Sequence, residues 1–339
     1  MSATGGTSVA VIGAGWMGEV HLRCYRARGV RIVGVADPRV ARAAELADRY
    51  GAEAVFSSAE ELFAATTPTG VSVTTPENHH EAPAVMALDR GIGVLLEKPM
   101  SDTLGSALAI AAAARRSGAP LVPAHILRFA GPYRAVHDAV RAGDIGQVIG
   151  ITARRDRTAA IGAHYRHVHP AALTMVHDID QVLWLTGARP VRARAVEHRP
   201  SPDDQADLVF AHLELSSGVV ASLVTVLVHP EGSIAGTSDR LEVYGDAGVA
   251  TVDTSAPTAL VHGASSRAPD WVLEPADGGG AFGAEIAHFV DCLERGSSSD
   301  VIPVDDALWG LRAVDAIVRS AASGGQSVDI DEGGPDAGS

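Results

Sequence analysis

The chain has 339 residues, 46 % hydrophobic and 20 % charged, with a formal net charge of −14. That length holds two domains of roughly 100–200 residues each, and the acidic balance argues against nucleic acid or an anionic membrane surface as partner. The two cysteines, Cys24 and Cys292, are too few and too far apart for a disulfide framework or a cysteine-rich zinc site. No apolar run approaches the roughly 18–20 residues of a membrane span, and the small, polar start from Met1 to Ser8 lacks the apolar core of a signal peptide. The expectation is a cytoplasmic protein.

In chain order, the first 125 residues alternate short apolar runs with amphipathic stretches. Strands are predicted at Ser8–Ile12, Val30–Ala36, Ala54–Phe56, Val71–Thr74, Gly93–Leu96 and Leu121–Ala124, and helices at Glu19–Arg28, Arg39–Tyr50, Ala82–Arg90 and Leu104–Ser117. Continuous apolar strands separated by helices imply a parallel sheet covered on both faces. Beyond about residue 145 a helix over Leu173–Leu185 precedes strand-like runs at 191–197, 207–214, 219–228, 240–244 and 249–253, joined by turn signals. Helices at Ala284–Arg295 and Val304–Ala321 follow. The predicted fold class is α/β: a doubly wound parallel sheet in residues 1–125, a mostly antiparallel α/β domain in 126–323 whose closing helices can pack back on the first domain, and a Gly- and Asp-rich flexible tail in 324–339.

Gly13, Gly15 and Gly18 follow the first strand and open a helix, the context in which a glycine turn cradles a pyrophosphate. Trp16 and Met17 lie inside that turn. Asp37 ends the second strand, nineteen residues after Gly18, where a carboxylate bonds ribose hydroxyls and repels a 2′-phosphate. This favours NAD over NADP, with Arg39 two residues on as the feature that softens the preference. Thr75-Pro76 with His80, and Glu97-Lys98-Pro99, follow the next two core strands, at the carboxyl ends where open α/β sheets bind ligands. A lysine there is a poor choice for packing alone.

These motifs, with His125-x-x-Arg128-Phe129 and Phe282-Gly283-Ala284-Glu285, resemble the glucose–fructose oxidoreductase / inositol dehydrogenase / MocA-like superfamily over nearly the whole chain. The resemblance implies a Rossmann domain, a C-terminal α/β domain with a large open sheet, and a homodimer or homotetramer. It also implies an NAD(P)-dependent dehydrogenase interconverting a secondary alcohol and a ketone on a sugar, inositol or related small polyol. Its cofactor contacts fall on Gly13, Gly15, Trp16, Met17, Gly18, Asp37, Arg39, Thr75, Pro76, His80, Glu97 and Lys98. Lys98 polarises the substrate oxygen and His177 is the acid/base.

Relatives carry an Asp, a His four residues later, and a second Asp three beyond that. Here His177 and Asp180 match, but Leu173 stands where the first Asp belongs. Leucine can neither take a proton nor orient an imidazole, which leaves two alternatives: Thr174, Asp178 or a residue of His164-Tyr165-Arg166-His167 replaces it, or the substrate's hydroxyl pattern differs from an inositol's. Arg128, His164, Tyr165 and Arg166 are the expected substrate contacts. The histidines 164, 167 and 169 have no cysteine to complete a metal site, and no metal is expected. Arg154, Arg155 and Arg157 either meet a substrate phosphate or carboxylate or sit at an exposed strand end. Two alternatives remain open: a sugar-nucleotide dehydrogenase, hinted at by those arginines, and a non-catalytic NAD-binding regulator, to which Leu173 gives weight.

Overall fold

Six apolar runs in the first part of the chain form one parallel sheet. A computed structural model describes residues 6–201, 204–233, 238–255, 258–262, 266–267 and 278–331. The six strands are β1 (Ser8–Ile12), β2 (Arg31–Ala36), β3 (Val55–Phe56), β4 (Gly70–Val73), β5 (Gly93–Glu97) and β6 (Leu121–Ala124), in the order β3-β2-β1-β4-β5-β6. Every residue of β1, β4, β5 and β6 is buried, because helices cover both faces of a parallel sheet. The connecting helices are α1 (Trp16–Ala27), α2 (Val40–Tyr50), α3 (Ala59–Ala65), α4 (Glu81–Leu88) and α5 (Leu104–Ser117). The sequence reading missed α3, whose start is marked by Ser58 and Glu61. Ser58 Oγ accepts from Glu61 N, and Glu61 Oε2 accepts from Ser57 N and Oγ, a variant of the capping box. The helix predicted from Glu19 begins at Trp16, directly after the glycine turn.

A second sheet has nine strands: β7 (Val148–Thr158), β8 (Pro190–His198), β9 (Leu208–Leu215), β10 (Val220–His229), β11 (Asp239–Gly245), β12 (Gly248–Asp253), β13 (Thr258–His262), β14 (Ser266–Arg267) and β15 (Val328–Asp329). Their order is β14-β13-β12-β11-β7-β10-β9-β8-β15. β7 and β10 pair in parallel and the other neighbours are antiparallel. The rest of the chain supplies α6 (Gly131–Ala142), α7 (Ala159–His164), α8 (Val176–Thr186), α9 (Gly280–Arg295) and α10 (Val304–Ala322). The sequence reading passed over α6 and α7.

Among the described residues two compact units separate, one made of 6–129 with 278–308 and the other of 130–267 with 309–331. The α9 stretch therefore packs with the parallel sheet. Of the stretch expected to be a flexible tail, Val328–Asp329 pairs with β8, while residues 332–339 lie outside the described residues. Cys24 and Cys292 are buried free thiols. No helix among the described residues is long and apolar enough to cross a membrane.

Burial alternates along the second sheet, as expected of one with a single covered face. Ala153, Leu223 and Ala211 in the middle of β7, β10 and β9 are buried, and α7 lies against β7 and β10 and α8 against β7. The opposite face carries a row in register, Val196, Phe210 and Val224 from β8, β9 and β10. Val196 and Phe210 are exposed.

Candidate active site

In the first unit the candidate residues all follow carboxyl ends of strands. Gly13 adopts φ +108°, a conformation that favours glycine, and a Cβ there would lie 2.7 Å from the Thr74 carbonyl. Thr74 Oγ1 closes the turn by donating within reach of both Ile12 O (3.1 Å) and Gly13 O (2.9 Å). A Cβ on Gly18 would collide with Gly13 O, so α1 runs against the turn. Gly15 is different. A Cβ there meets nothing within 4 Å, so the middle of the turn faces open space at the N-terminus of α1, where an anion is stabilised by backbone N–H groups and the helix dipole. The residues present therefore fit a pyrophosphate. Thr74, which sequence reasoning missed in favour of Thr75, is what holds them.

Asp37 is buried. Its Oδ2 accepts from Ala14 N at 2.7 Å, and its Oδ1 accepts from Arg39 N at 2.8 Å and Arg39 Nε at 3.0 Å. Burial pushes this carboxyl up, but the bonds from Arg39 and Ala14 N outweigh it and hold Asp37 below the usual aspartate value. Arg39 is tied to the very carboxylate whose preference it was expected to soften. Trp16 is 63 % exposed and meets the Phe282 ring edge-on, with centroids 6.4 Å apart.

The next two loops are joined by His80, expected among the cofactor contacts. It is buried, with Nε2 2.9 Å from Thr75 O and Nδ1 3.1 Å from Pro99 O. Burial pulls His80 below the ordinary histidine value against these carbonyls. Its place is thus between the Thr75-Pro76 turn and the Lys98–Pro99 turn, whose peptide bond is cis. Glu97 is buried at the end of β5, with His21 Nε2 3.3 Å from Oε1 and Lys98 N donating to Oε2 at 3.1 Å. Burial raises Glu97, and His21 and Lys98 together bring it below the usual glutamate value. Arg128, expected at the substrate, is 1 % exposed and donates to Val301 O and Asp306 Oδ2, both at 2.8 Å, inside the same unit.

In the second unit the helix predicted over Leu173–Leu185 is two segments. A π-helical turn, Ala171–Met175, runs into α8. A π turn closes on i+5 rather than i+4, so Leu173 does not stand one ordinary α-helical turn before His177. Thr174 is buried, its hydroxyl donating to Pro170 O at 3.1 Å and sharing a 3.2 Å hydrogen bond with the Thr225 hydroxyl. Asp178 is gripped by Arg155, with Nη2 2.7 Å from Oδ1 and Nε 3.2 Å from Oδ2, and Arg155 Nη1 reaches Asp239 at 2.7 Å. Burial raises Asp178 above the ordinary aspartate value against the pull of Arg155, which stays charged. Arg157 bonds Asp239, and Arg154 bonds Asp156. The three arginines thus meet aspartates of their own unit, which removes the hint of a nucleotide diphosphate site.

Asp180 is buried beside Gln181, whose Nε2 lies 3.4 Å from Oδ2. His177, by contrast, is only half-buried on α8. His164, Tyr165 and Arg166 lie exposed at and just beyond the end of α7, with the His164 and Tyr165 rings edge-on at 4.7 Å. His169 sits apart from them. Its Nδ1 accepts from Ala171 N at 3.1 Å and its Nε2 lies 2.9 Å from Glu197 Oε2, an arrangement that makes Nε2 the protonated nitrogen.

The strand order, the glycine turn and the carboxylate ending β2 define a dinucleotide-binding oxidoreductase fold. Comparison with known proteins makes this specific. Residues 7–125 match a model described as an oxidoreductase family with an NAD-binding Rossmann fold, and residues 133–251 match the GFO/IDH/MocA C-terminal domain. The chain belongs to the Gfo/Idh/MocA family of NAD-dependent oxidoreductases. It is 28 % identical over 327 residues to an inositol 2-dehydrogenase of Ralstonia nicotianae, covering 93 % of this chain and 94 % of that one. It is also 28 % identical over 330 residues to a 1,5-anhydro-D-fructose reductase of Ensifer adhaerens, covering 93 % and 96 %. A crystal structure of myo-inositol 2-dehydrogenase from Lactobacillus plantarum shares the fold, with a TM-score of 0.83 at 22 % identity over 96 % of this chain and 100 % of that one.

The glycine geometry separates two substitutions. Gly15→Ala is expected to leave the melting temperature unchanged while weakening NADH binding roughly tenfold or more in a fluorescence titration. Gly18→Ala is expected to lower both. Full NADH affinity in Gly15→Ala would contradict the cradle.

Proposed function

We propose that this enzyme oxidises one secondary hydroxyl of a polyhydroxylated ring, an inositol, sugar or related cyclitol, to the ketone with NAD. The observation that carries the reading is the convergence of the glycine turn, Asp37 and Glu97-Lys98 along one edge of the parallel sheet, after β1, β2 and β5. The relatives' names, an inositol dehydrogenase and an anhydrofructose reductase, share a ring bearing several adjacent hydroxyls, and that is the substrate class we assign.

Bound NAD supplies the hydride acceptor at its nicotinamide. The backbone from Gly13 to Gly18 holds the pyrophosphate, and Asp37 takes the ribose hydroxyls and disfavours a 2′-phosphate. Lys98 donates a hydrogen bond to the reacting oxygen and stabilises the negative charge that grows there. His177 takes the hydroxyl proton, an imidazole being suited to that exchange near neutral pH. Asp178 and Thr174, bound as they are to Arg155, Thr225 and Pro170, hold α8 and the π turn in place rather than taking the proton.

Lys98→Ala is expected to lower kcat by about 10²–10³-fold, and His177→Ala by about 10²–10⁴-fold, with NADH affinity in His177→Ala near that of the wild type. The check is NADH absorbance against a panel of inositols, hexoses and anhydrosugars. Undiminished turnover in Lys98→Ala would overturn the assignment of its role.

We further propose that copies of the chain pair through the outward row Val196, Phe210 and Val224, since apolar side chains lined up on an open sheet are typical of association surfaces. Phe210→Asp should shift the mass in light scattering to that of one chain. An unchanged oligomer in that variant would rule this face out.

A further inference from the structure

Three ionisable side chains that the proposed chemistry leaves unused are buried on neighbouring elements of the first unit. His21 comes from α1, Glu97 from the end of β5 and Glu285 from the first half of α9, all within one unit. His21 and Glu285 are completely buried, and Glu97 is nearly so. Glu97 has company, with His21 Nε2 at 3.3 Å and the Lys98 backbone N–H at 3.1 Å. Neither carboxyl oxygen of Glu285 has a hydrogen-bond partner among the described residues. Nor is its place accidental to the helix. Glu285 lies one turn before Phe289 and two before Cys292, on a stripe where α9 otherwise buries apolar groups.

An ionised carboxylate with no partner is very costly in such a place, whereas a protonated one costs no more than other buried polar groups. Two carboxyls sharing one low-dielectric site do not both ionise. Of the two, Glu97 has the imidazole and the N–H, so the proton resides on Glu285.

We propose that Glu285 is carried as a neutral carboxylic acid in the interior of the first unit, leaving Glu97 as the carboxylate that faces His21. The polar groups on the elements packed against α9 agree with it. From α1 come His21 and Tyr25, and from β4 Ser72, which shares a 2.7 Å hydrogen bond with the Tyr25 hydroxyl. From β5 comes Glu97. The segment at 126–129 brings Arg128, whose guanidinium is taken by Val301 O and Asp306. Burial first, and then the Glu97 charge, raise Glu285 well above the usual glutamate value.

A carboxyl raised in this way binds a proton in the folded state that the unfolded chain has released. Its contribution to stability is fully present below the unfolded glutamate value and is lost as pH rises through the folded value. E285Q, which cannot ionise, escapes that loss.

The test uses the full chain. Melting temperatures of wild type and E285Q are compared from about pH 5 to about pH 9, and the difference is expected to move in favour of E285Q as pH rises. A difference that stays constant would overturn the neutral-acid assignment. So would the absence, in the infrared difference spectrum of wild type against E285Q at neutral pH, of the carbonyl stretch of a protonated carboxyl.

Discussion

The first unit depends on how closely the turn after β1 approaches the strand beside it. Gly13 sits against the Thr74 carbonyl at a distance no side chain permits, and Thr74 Oγ1 answers by bonding the carbonyls of Ile12 and Gly13. That contact sets where α1 begins, and Gly18 lets the helix start against the turn itself. With the turn fixed, Ala14 N is in place for Asp37, and the carboxylate that ends β2 is held at its mouth. A methyl group at residue 13 or 18 would act as a wedge at this point and disturb all three. His80 fills the gap in the next stretch of the same edge, its two ring nitrogens set against Thr75 O and Pro99 O with one N–H to give, so the loops after β4 and β5 pack on one side chain.

The second unit orders the segment that bears His177 with charge. Arg155 lies in the interior and is satisfied by two aspartates, Asp178 of α8 and Asp239 of β11. Removing one partner of such a buried pair leaves an uncompensated charge, at a cost of about 3–5 kcal/mol, so the register of α8 against β7 is strongly specified. Asp178 adjoins His177 in sequence, and the restraint on one is passed to the other through the helix backbone. The π turn ahead of α8 is held from both sides, by His169 at its start and by Thr174 within it. Such turns recur at functional sites because they re-aim side chains without ending the helix.

Much of the first unit was legible in the sequence, because a buried parallel strand has to be continuously apolar and a pyrophosphate turn has to be glycine. Ser8–Ile12, Leu104–Ser117 and Leu121–Ala124 fall where the pattern placed them. What the sequence hid was the partner of each charge. Arg128 read as a substrate contact, Asp178 as a replacement for the missing Asp, and the arginines of β7 as either a substrate contact or an exposed strand end, and each is bonded within its own unit. Charge is visible in one dimension, but satisfaction is not. The π turn was invisible for a related reason, since a 3.6-residue period carried through Leu173 assumes the geometry it is meant to find. Glu285 left a trace that was read only as part of a motif: an acid on the stripe that buries Phe289 and Cys292.

The central claim is that a carbon-bound hydrogen of a polyhydroxylated ring passes to NAD on this chain. The most direct measurement supplies cyclic polyols deuterated at one ring carbon at a time and weighs the NADH formed by mass spectrometry. The account predicts deuterium in NADH from one labelled position and not from its neighbours, with a ketone left at that carbon. NADH without deuterium from any position, or bound NAD with no turnover of any cyclic polyol, would contradict it.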